Sequence, residues 1–149
     1  MPELSIRAAS SDDAGALASL LGELGYPSEA DRVRARLARV LGAGGQRATD
    51  CVFVAADART ADVLGLLSLH RFAGLHDDAD VALITGLVVA ERARGLGVGR
   101  QLVDSAVDTA RRWGCTRLMV TTHVRRAGAH AFYESIGFEL TGRRYVLAL

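Results

Sequence analysis

The spacing of hydrophobic residues changes period along the chain, and this change limits the possible folds more than any other feature. From Asp12 to Leu24 apolar residues recur every three or four positions, which is typical of one face of a helix. From Cys51 to Val89 they form short strand-like runs separated by polar turns, and helical spacing returns from Gly99 to Trp113. Short turns join antiparallel neighbours. The sequence therefore predicts an α/β fold with a mixed, mostly antiparallel central sheet flanked by helices.

The chain has 149 residues, the size of one domain, and we predict a single domain over residues 1–149. Gly25 and Gly114 are expected to end helices, and Gly42 to Asp50 is expected to form a loop. The predicted elements are, in order, a strand at Leu4–Ala8, helices at Asp12–Leu24 and Ser28–Leu41, strands at Cys51–Ala56, Val63–Phe72 and Asp80–Val89, a helix at Gly99–Trp113, a buried strand at Thr116–Thr122, a helix at Ala127–Ile136 and a hairpin at Phe138–Leu149.

Composition excludes several classes of function. The net charge of +1 gives no general electrostatic case for binding nucleic acid. All 18 basic residues are arginine, and the absence of lysine excludes both a GxxxxGK[ST] phosphate loop and Schiff-base catalysis. No apolar run approaches the roughly 18 residues of a membrane span. The N-terminus lacks the pattern of a signal peptide, and we interpret the protein as cytoplasmic.

The two cysteines, Cys51 and Cys115, are far apart and without CxxC spacing or a nearby pair of histidines. This pattern favours core thiols and predicts neither a disulfide framework nor a metal site.

The stretch from Leu87 to Arg100 carries the clearest chemical signal. An apolar strand leads into a loop of alternating glycines, which opens into an amphipathic helix. Glycine lets the backbone approach an oxyanion closely, and a helix N-terminus favours negative charge. The sequence predicts an anion-binding loop flanked by Arg92, Arg94 and Arg100; a glycine-rich connection with solvated arginines is the alternative. The spacing is GxGxG, and Leu102 stands where a dinucleotide fingerprint counted from Gly97 requires glycine.

Two segments together resemble the GNAT superfamily of N-acetyltransferases. Arg94-Gly95-Leu96-Gly97-Val98-Gly99 resembles the superfamily signature R/Q-x-x-G-x-G/A. One helix and one strand later, Ala129-x-x-Phe132-Tyr133 followed by Gly137-Phe138 resembles its later helix with the terminal "GF". The element order from Leu4 to Leu149 also fits the superfamily.

The resemblance implies acetyl-coenzyme A as acyl donor and no metal. It implies that the pantetheine arm pairs with the strand Leu87, Val88 and Val89. Arg94, whose positive charge lies beside the anion-binding loop, is a further candidate for binding the coenzyme. Tyr133 matches the tyrosine that protonates the departing thiolate in many members; a core aromatic beside Phe132 is the alternative. The pyrophosphate is expected on the backbone N–H groups of Gly95, Gly97, Val98, Gly99 and Arg100.

Two positions depart from the pattern of the superfamily. Arg126 stands where many members have asparagine, and Thr85 stands where many have the glutamate that acts as base. Threonine cannot be a general base. We therefore expect a base that is not obligatory or that acts through water, with His70, His123 and Asp80 as candidates, since imidazole is a usable proton acceptor at neutral pH.

The predicted function is direct acetyl transfer to an amine of a small molecule or peptide. A longer acyl-coenzyme A is an alternative donor. A sensor module that binds the coenzyme without turnover is the alternative from another class, supported by the missing glutamate at position 85 and opposed by Tyr133. The sequence does not identify the acceptor or the preferred length of the acyl chain, and it is compatible with a homodimer.

Overall fold

The computed structural model describes residues 2–42, 49–122 and 127–149. They fall into two compact units, Met1–Met119 and Val120–Leu149. The single domain over residues 1–149 stays a prediction. The elements are β1 (Leu4–Ala8), α1 (Ala14–Leu24), α2 (Ala30–Leu41), β2 (Asp50–Asp57), β3 (Val63–Phe72), β4 (Val81–Val89), α3 (Val98–Arg112), β5 (Arg117–Val120) and α4 (Ala127–Ser135), with 3₁₀ turns at Ser11–Asp13 and Glu91–Ala93.

The strands form one five-stranded sheet in the order β1-β2-β3-β4-β5. Neighbours from β1 to β4 are antiparallel. The short connections from β2 to β3 and from β3 to β4 predict this for those three strands, whereas β1 and β2 pair across the two helices α1 and α2. The register between β3 and β4 opposes Leu67 to Leu87 and His70 to Leu83. The expected mixed α/β fold with a mostly antiparallel sheet is confirmed.

Helix α3 covers one face of the sheet, and α1 and α2 cover part of the other. Gly65 on β3 packs so closely under α3 that a Cβ there would lie 3.0 Å from side-chain atoms of both Val98 and Leu102. Side chains alternate between faces along a strand. Leu67 and Leu69 therefore point to the α3 face with Gly65, and each is 1% exposed or less.

Helix α1 begins two residues later than predicted. Ser11–Asp13 form a 3₁₀ turn instead, because the Asp13 carboxylate accepts the Ser10 N–H at 2.8 Å and two hydrogen bonds from Arg7, also at 2.8 Å. Gly25 ends α1 with φ +104°, as expected for a left-handed cap. Of the predicted loop from Gly42 to Asp50, residues 43–48 lie outside the described residues, and Asp50 belongs to β2.

Strand β5 corrects one prediction. A buried strand was expected over Thr116–Thr122, but the strand spans only Arg117–Val120, with Arg117 exposed and the other three residues half-buried. The apolar run Leu118-Met119-Val120 cannot by itself show how fully neighbouring elements cover it.

The predicted hairpin at Phe138–Leu149 is wrong, since none of these residues lies in a strand. Alternating apolar residues predicted a half-buried strand, yet Tyr145 is 90% and Leu147 84% exposed. A two-stranded hairpin is marginal without a further partner. The sequence shows the alternation and the turn residues but not whether such a partner is available. Within the described parts of the chain, no helix has both the length and the apolar character that crossing a bilayer requires.

Candidate active site

The loop between β4 and α3 has the backbone geometry of an anion site. After β4, the 3₁₀ turn Glu91–Ala93 is anchored by the buried Ala93. Gly95 and Gly97 then adopt φ of +77° and +82°, which side-chain-bearing residues rarely adopt. Both glycines are exposed. Successive N–H groups in such a turn can converge on one oxyanion.

Helix α3 adds its N-terminus to this loop. Gly97 is the N-cap, and its carbonyl accepts the first helical hydrogen bond, from Gln101 N–H at 3.1 Å. The N–H groups of Val98, Gly99 and Arg100 in the first turn consequently have no partner within the helix. An ideal Cβ built on Gly95 or Gly97 meets no heavy atom within 4 Å. The space in front of the loop is open to a phosphate.

The three arginines of the loop are exposed, and each has a weak partner. Arg92 lies 4.0 Å from the Asp62 carboxylate, and Arg100 lies 3.6 Å from Asp104 one helical turn later. Arg94 Nε lies 3.4 Å from the carbonyl oxygen of Val89 at the end of β4. Exposed pairs of this kind contribute little. Exchange of these partners for a phosphate therefore costs little.

The edge of β4 at Leu87–Val89 extends beyond β5. The Thr116 N–H donates to the Asp80 carbonyl at 3.3 Å, so β5 begins beside the start of β4. Strand β5 has four residues and β4 has nine. Because each residue advances a strand by about 3.3 Å, β5 ends before it reaches Leu87. An extended ligand can add to this edge by backbone hydrogen bonds.

Tyr133 lies on α4 in the second unit. The residue is 9% exposed, and its ring packs edge-on against Phe132 at 5.4 Å and Phe138 at 5.5 Å between ring centroids. Gly137, with φ +99°, ends the helix and lets the chain turn back, so that Phe138 N–H donates to the Tyr133 carbonyl at 3.0 Å. The "GF" pair is thus the C-cap that holds an aromatic cluster around Tyr133.

The three candidate bases, His70, His123 and Asp80, do not share one environment. His123 lies outside the described residues, as does Arg126, the residue at the position where many GNAT members have asparagine. The Asp80 carboxylate lies 4.0 Å from Arg71, whose guanidinium lies 5.1 Å from the Trp113 ring centroid at the end of α3. Arg71 shares its sheet face with Leu69, so Asp80 is drawn towards the α3 side of the sheet.

Thr85 occupies a β-bulge on β4. Leu69 is opposite Ile84 and Ser68 is opposite Gly86, which leaves Thr85 as the extra residue. The Thr85 hydroxyl is hydrogen-bonded to the Ser68 hydroxyl and lies 3.3 Å from the Ser68 carbonyl oxygen. The bulge therefore presents a pair of hydroxyl groups, with no carboxylate at this position.

His70 has a partner that the sequence did not reveal. Its Nδ1 lies 2.9 Å from Oδ1 of Asp50, the first residue of β2. Ring stacking on Phe72 also fixes the imidazole, with centroids 6.0 Å apart and planes within 18°. Asp50 and His70 are 20 residues apart, and only the β2–β3 register brings them together. The sequence signal that could have identified Asp50 as a candidate is its position as a polar residue directly before the apolar run from Cys51 to Ala56.

Neither cysteine is a favourable nucleophile. Burial raises the pKa of Cys51 to about 11, and the nearby Asp50 carboxylate contributes to this rise. Burial, with a contribution from Asp80, also raises the pKa of Cys115. Since the thiolate is the nucleophile, both thiols are largely unreactive at neutral pH.

Known proteins resemble this chain in sequence and in fold. The model of the acetyltransferase (GNAT) family matches residues 20–138. An aminoalkylphosphonate N-acetyltransferase of Salmonella typhimurium strain LT2 is 34% identical over 91 residues, which cover 61% of this chain and 59% of the relative. The chain thus matches about three fifths of the length of that relative.

Solved structures share the fold over nearly the whole chain. A transcriptional regulator from Bacillus halodurans C-125 superposes with a TM-score of 0.86 at 24% identity, covering 99% of this chain and 100% of the other. An aminoglycoside antibiotic 6′-N-acetyltransferase from Acinetobacter baumannii superposes with a TM-score of 0.81 at 18% identity, covering 99% of this chain and 98% of the other. At these identities the likeness concerns the fold.

Proposed function

We propose that this chain, which belongs to the GNAT family of acetyltransferases, is an N-acetyltransferase and that acetyl-coenzyme A is its acyl donor. The observation that carries the proposal is the loop before α3. Its left-handed glycines and the helix N-terminus form one open anion site at the end of β4. The coenzyme pyrophosphate would bind the backbone N–H groups of Gly95 and Gly97 and of the first turn of α3.

The edge of β4 supports the placement of the rest of the donor. A pantetheine arm carries amide groups, and Leu87–Val89 offers backbone partners that β5 does not cover. Pairing there would direct the thioester away from the phosphate loop along β4. Arg94 contacts the Val89 carbonyl at the junction and is placed to bind a phosphate by a small side-chain movement.

The transfer we propose is direct. The amine nitrogen attacks the thioester carbon while a backbone N–H of the Leu87–Val89 segment polarises the carbonyl oxygen. The C–S bond breaks with its electron pair on sulfur, and Tyr133 protonates the thiolate. The nitrogen loses one N–H proton as the amide forms, and the Tyr133 phenolate regains a proton from solvent. The raised pKa values of Cys51 and Cys115 support this route over an acetyl-cysteine intermediate.

The acceptor we propose is an amine of a small molecule or peptide. The name of the Salmonella relative supports including aminoalkylphosphonates among the amines tested, beside polyamines, aminoglycosides and peptide N-termini.

Thiol release tests the proposed function. The protein is incubated with acetyl-coenzyme A and each member of the amine panel, and free thiol is measured against a control without amine. Amine-dependent release is expected for at least one member. Coenzyme binding by calorimetry with no release above the control would instead identify a sensor module, and faster release from a longer acyl-coenzyme A would correct the donor.

A further inference from the structure

The sheet face opposite α3 carries a group of polar side chains beside the bulge in β4. Ser68 and His70 alternate with the fully buried Leu67 and Leu69, and therefore point away from α3. Thr85 is exposed on the same side, and the His70 side chain is 37% exposed. Among the described residues, Leu67, Leu69 and α3 close the other face at this part of β3 and β4, so an amine would approach the polar groups from this face.

Asp50 orients the imidazole of His70. The Asp50 side chain is only 15% exposed, and both of its oxygens are engaged: Oδ1 with His70 Nδ1 at 2.9 Å and Oδ2 with the Thr49 hydroxyl at 2.7 Å. An ionised carboxylate can only accept hydrogen bonds, so Nδ1 is the donor. The neutral imidazole then has its lone pair on Nε2, the nitrogen that Asp50 does not contact.

The position of His70 relative to the β4 edge suits a proton acceptor. His70 lies three residues along β3 from Leu67, the partner of Leu87, which is about 10 Å along the strand. The hydroxyl pair of Ser68 and Thr85 lies between the two. An amine bound over this pair is within reach of a thioester at Leu87 on one side and of the imidazole on the other, across at most one water.

We propose that His70 accepts the proton of the incoming ammonium group and that Asp50 is its positioning residue. The assignment rests on the proposed acetyl transfer and supplies the base that Thr85 cannot be. An N–H bond of the ammonium breaks, its electron pair stays on nitrogen, and the proton binds Nε2. The nitrogen lone pair then attacks the thioester carbon. The imidazolium, stabilised by the Asp50 carboxylate, returns its proton to solvent after product release.

Substitutions of the pair distinguish this role from a purely structural one. His70→Gln keeps a donor for Asp50 but cannot take up a proton. With the amine that the parent acetylates fastest, its kcat should fall about 10²-fold, the low end for a lost general base. The KM for acetyl-coenzyme A should stay parental. In His70→Ala, added imidazole should restore part of the lost kcat in a saturable manner.

Asp50→Asn should lower kcat about tenfold in the parent background and not at all in the His70→Gln background. Two residues that act through one proton acceptor are non-additive in this way, whereas independent structural effects add. His76→Ala is the matched control, because His76 also lies near a carboxylate, Asp77 at 3.5 Å, but is 84% exposed in the β3–β4 loop. It should have parental kcat, and thermal unfolding should confirm that every variant is folded.

Parental kcat in folded His70→Gln and His70→Ala would overturn the assignment while leaving the acetyltransferase function standing. Additive effects of Asp50→Asn would remove Asp50 from the role of positioning residue. A parent that releases no thiol with any amine would overturn the proposed function and this assignment with it.

Discussion

The glycine loop before α3 and the Asp50–His70 pair lie near opposite ends of β4 and are built by different means. The loop is a backbone site: two left-handed glycines and a helix N-terminus present N–H groups, and its arginines have only weak partners. The pair is a side-chain site, in which a half-buried carboxylate fixes one imidazole nitrogen. A backbone site is suited to hold a fixed anion, and a side-chain site is suited to gain and lose a proton.

Substitutions at the two sites are expected to change different kinetic quantities. Changes in the backbone site should alter coenzyme affinity with little effect on the chemical step. Changes at side chains that move protons should alter kcat with little effect on affinity.

Tyr133→Phe should give the largest effect. It removes only the phenolic proton and leaves the ring in its cluster with Phe132 and Phe138. A lost general acid costs about 10²- to 10⁴-fold in rate, so kcat should fall in that range, by at least as much as in His70→Ala, while coenzyme affinity measured by calorimetry should barely change. Parental turnover would make Tyr133 a packing residue.

Gly97→Ala should raise the KM for acetyl-coenzyme A about 10²-fold. The left-handed φ of +82° costs a Cβ-bearing residue about 1–2 kcal/mol, and the Cβ would occupy the space in front of the loop. Gly99→Ala tests phosphate approach without that strain, because Gly99 lies within the first turn of α3; its KM should also rise.

Gly25→Ala is the matched control for Gly97→Ala. Gly25 has φ +104°, and an ideal Cβ built on it meets no heavy atom within 4 Å, so the substitution introduces a similar backbone strain. Gly25 ends α1, however, and does not belong to the loop before α3. The substitution should lower the melting temperature and leave KM unchanged. Parental coenzyme binding in both Gly97→Ala and Gly99→Ala would place the phosphates elsewhere.

Arg94→Ala and Arg100→Ala should each weaken coenzyme binding by about 1–3 kcal/mol, the usual range for hydrogen bonds to charged groups. Values near the lower end are expected because both side chains are exposed. High salt should weaken binding to the parent in the same direction. If neither variant changes the Kd measured by calorimetry, these arginines are solvated and the site consists of backbone alone.

The Arg7–Asp13 pair should affect stability and leave catalysis unchanged. Hydrogen bonds from Arg7 lower the pKa of Asp13 below its ordinary 3.8. The pair therefore stabilises the fold fully above that ordinary value, and its contribution is lost as the pH falls through the lower folded value. Arg7→Ala should cost about 1 kcal/mol in the free energy of unfolding at pH 7 and less near pH 2. Reduced kcat in the folded variant would contradict a purely structural role.

Local signals in the sequence predicted the conformation of the glycine loop well and the Asp50–His70 contact only in part. Glycine has a direct conformational meaning, so Gly95 and Gly97 could be placed before a helix from the sequence alone. His70 was a candidate, but its partner Asp50 lies 20 residues away in the sequence, and only the register of β2 and β3 brings the two together. For the same reason the alternation in Tyr145 and Leu147 predicted a strand that did not form, because strand pairing is not encoded locally.

Transfer of a labelled acetyl group tests the central claim most directly. Acetyl-coenzyme A carrying a ¹³C-acetyl group is incubated with the parent and its best amine, and the label is located by mass spectrometry. The account predicts one labelled amide on the amine for each thiol released, and no label on Cys51 or Cys115. Label retained in intact coenzyme, with binding but no amide formed across the panel, would contradict it.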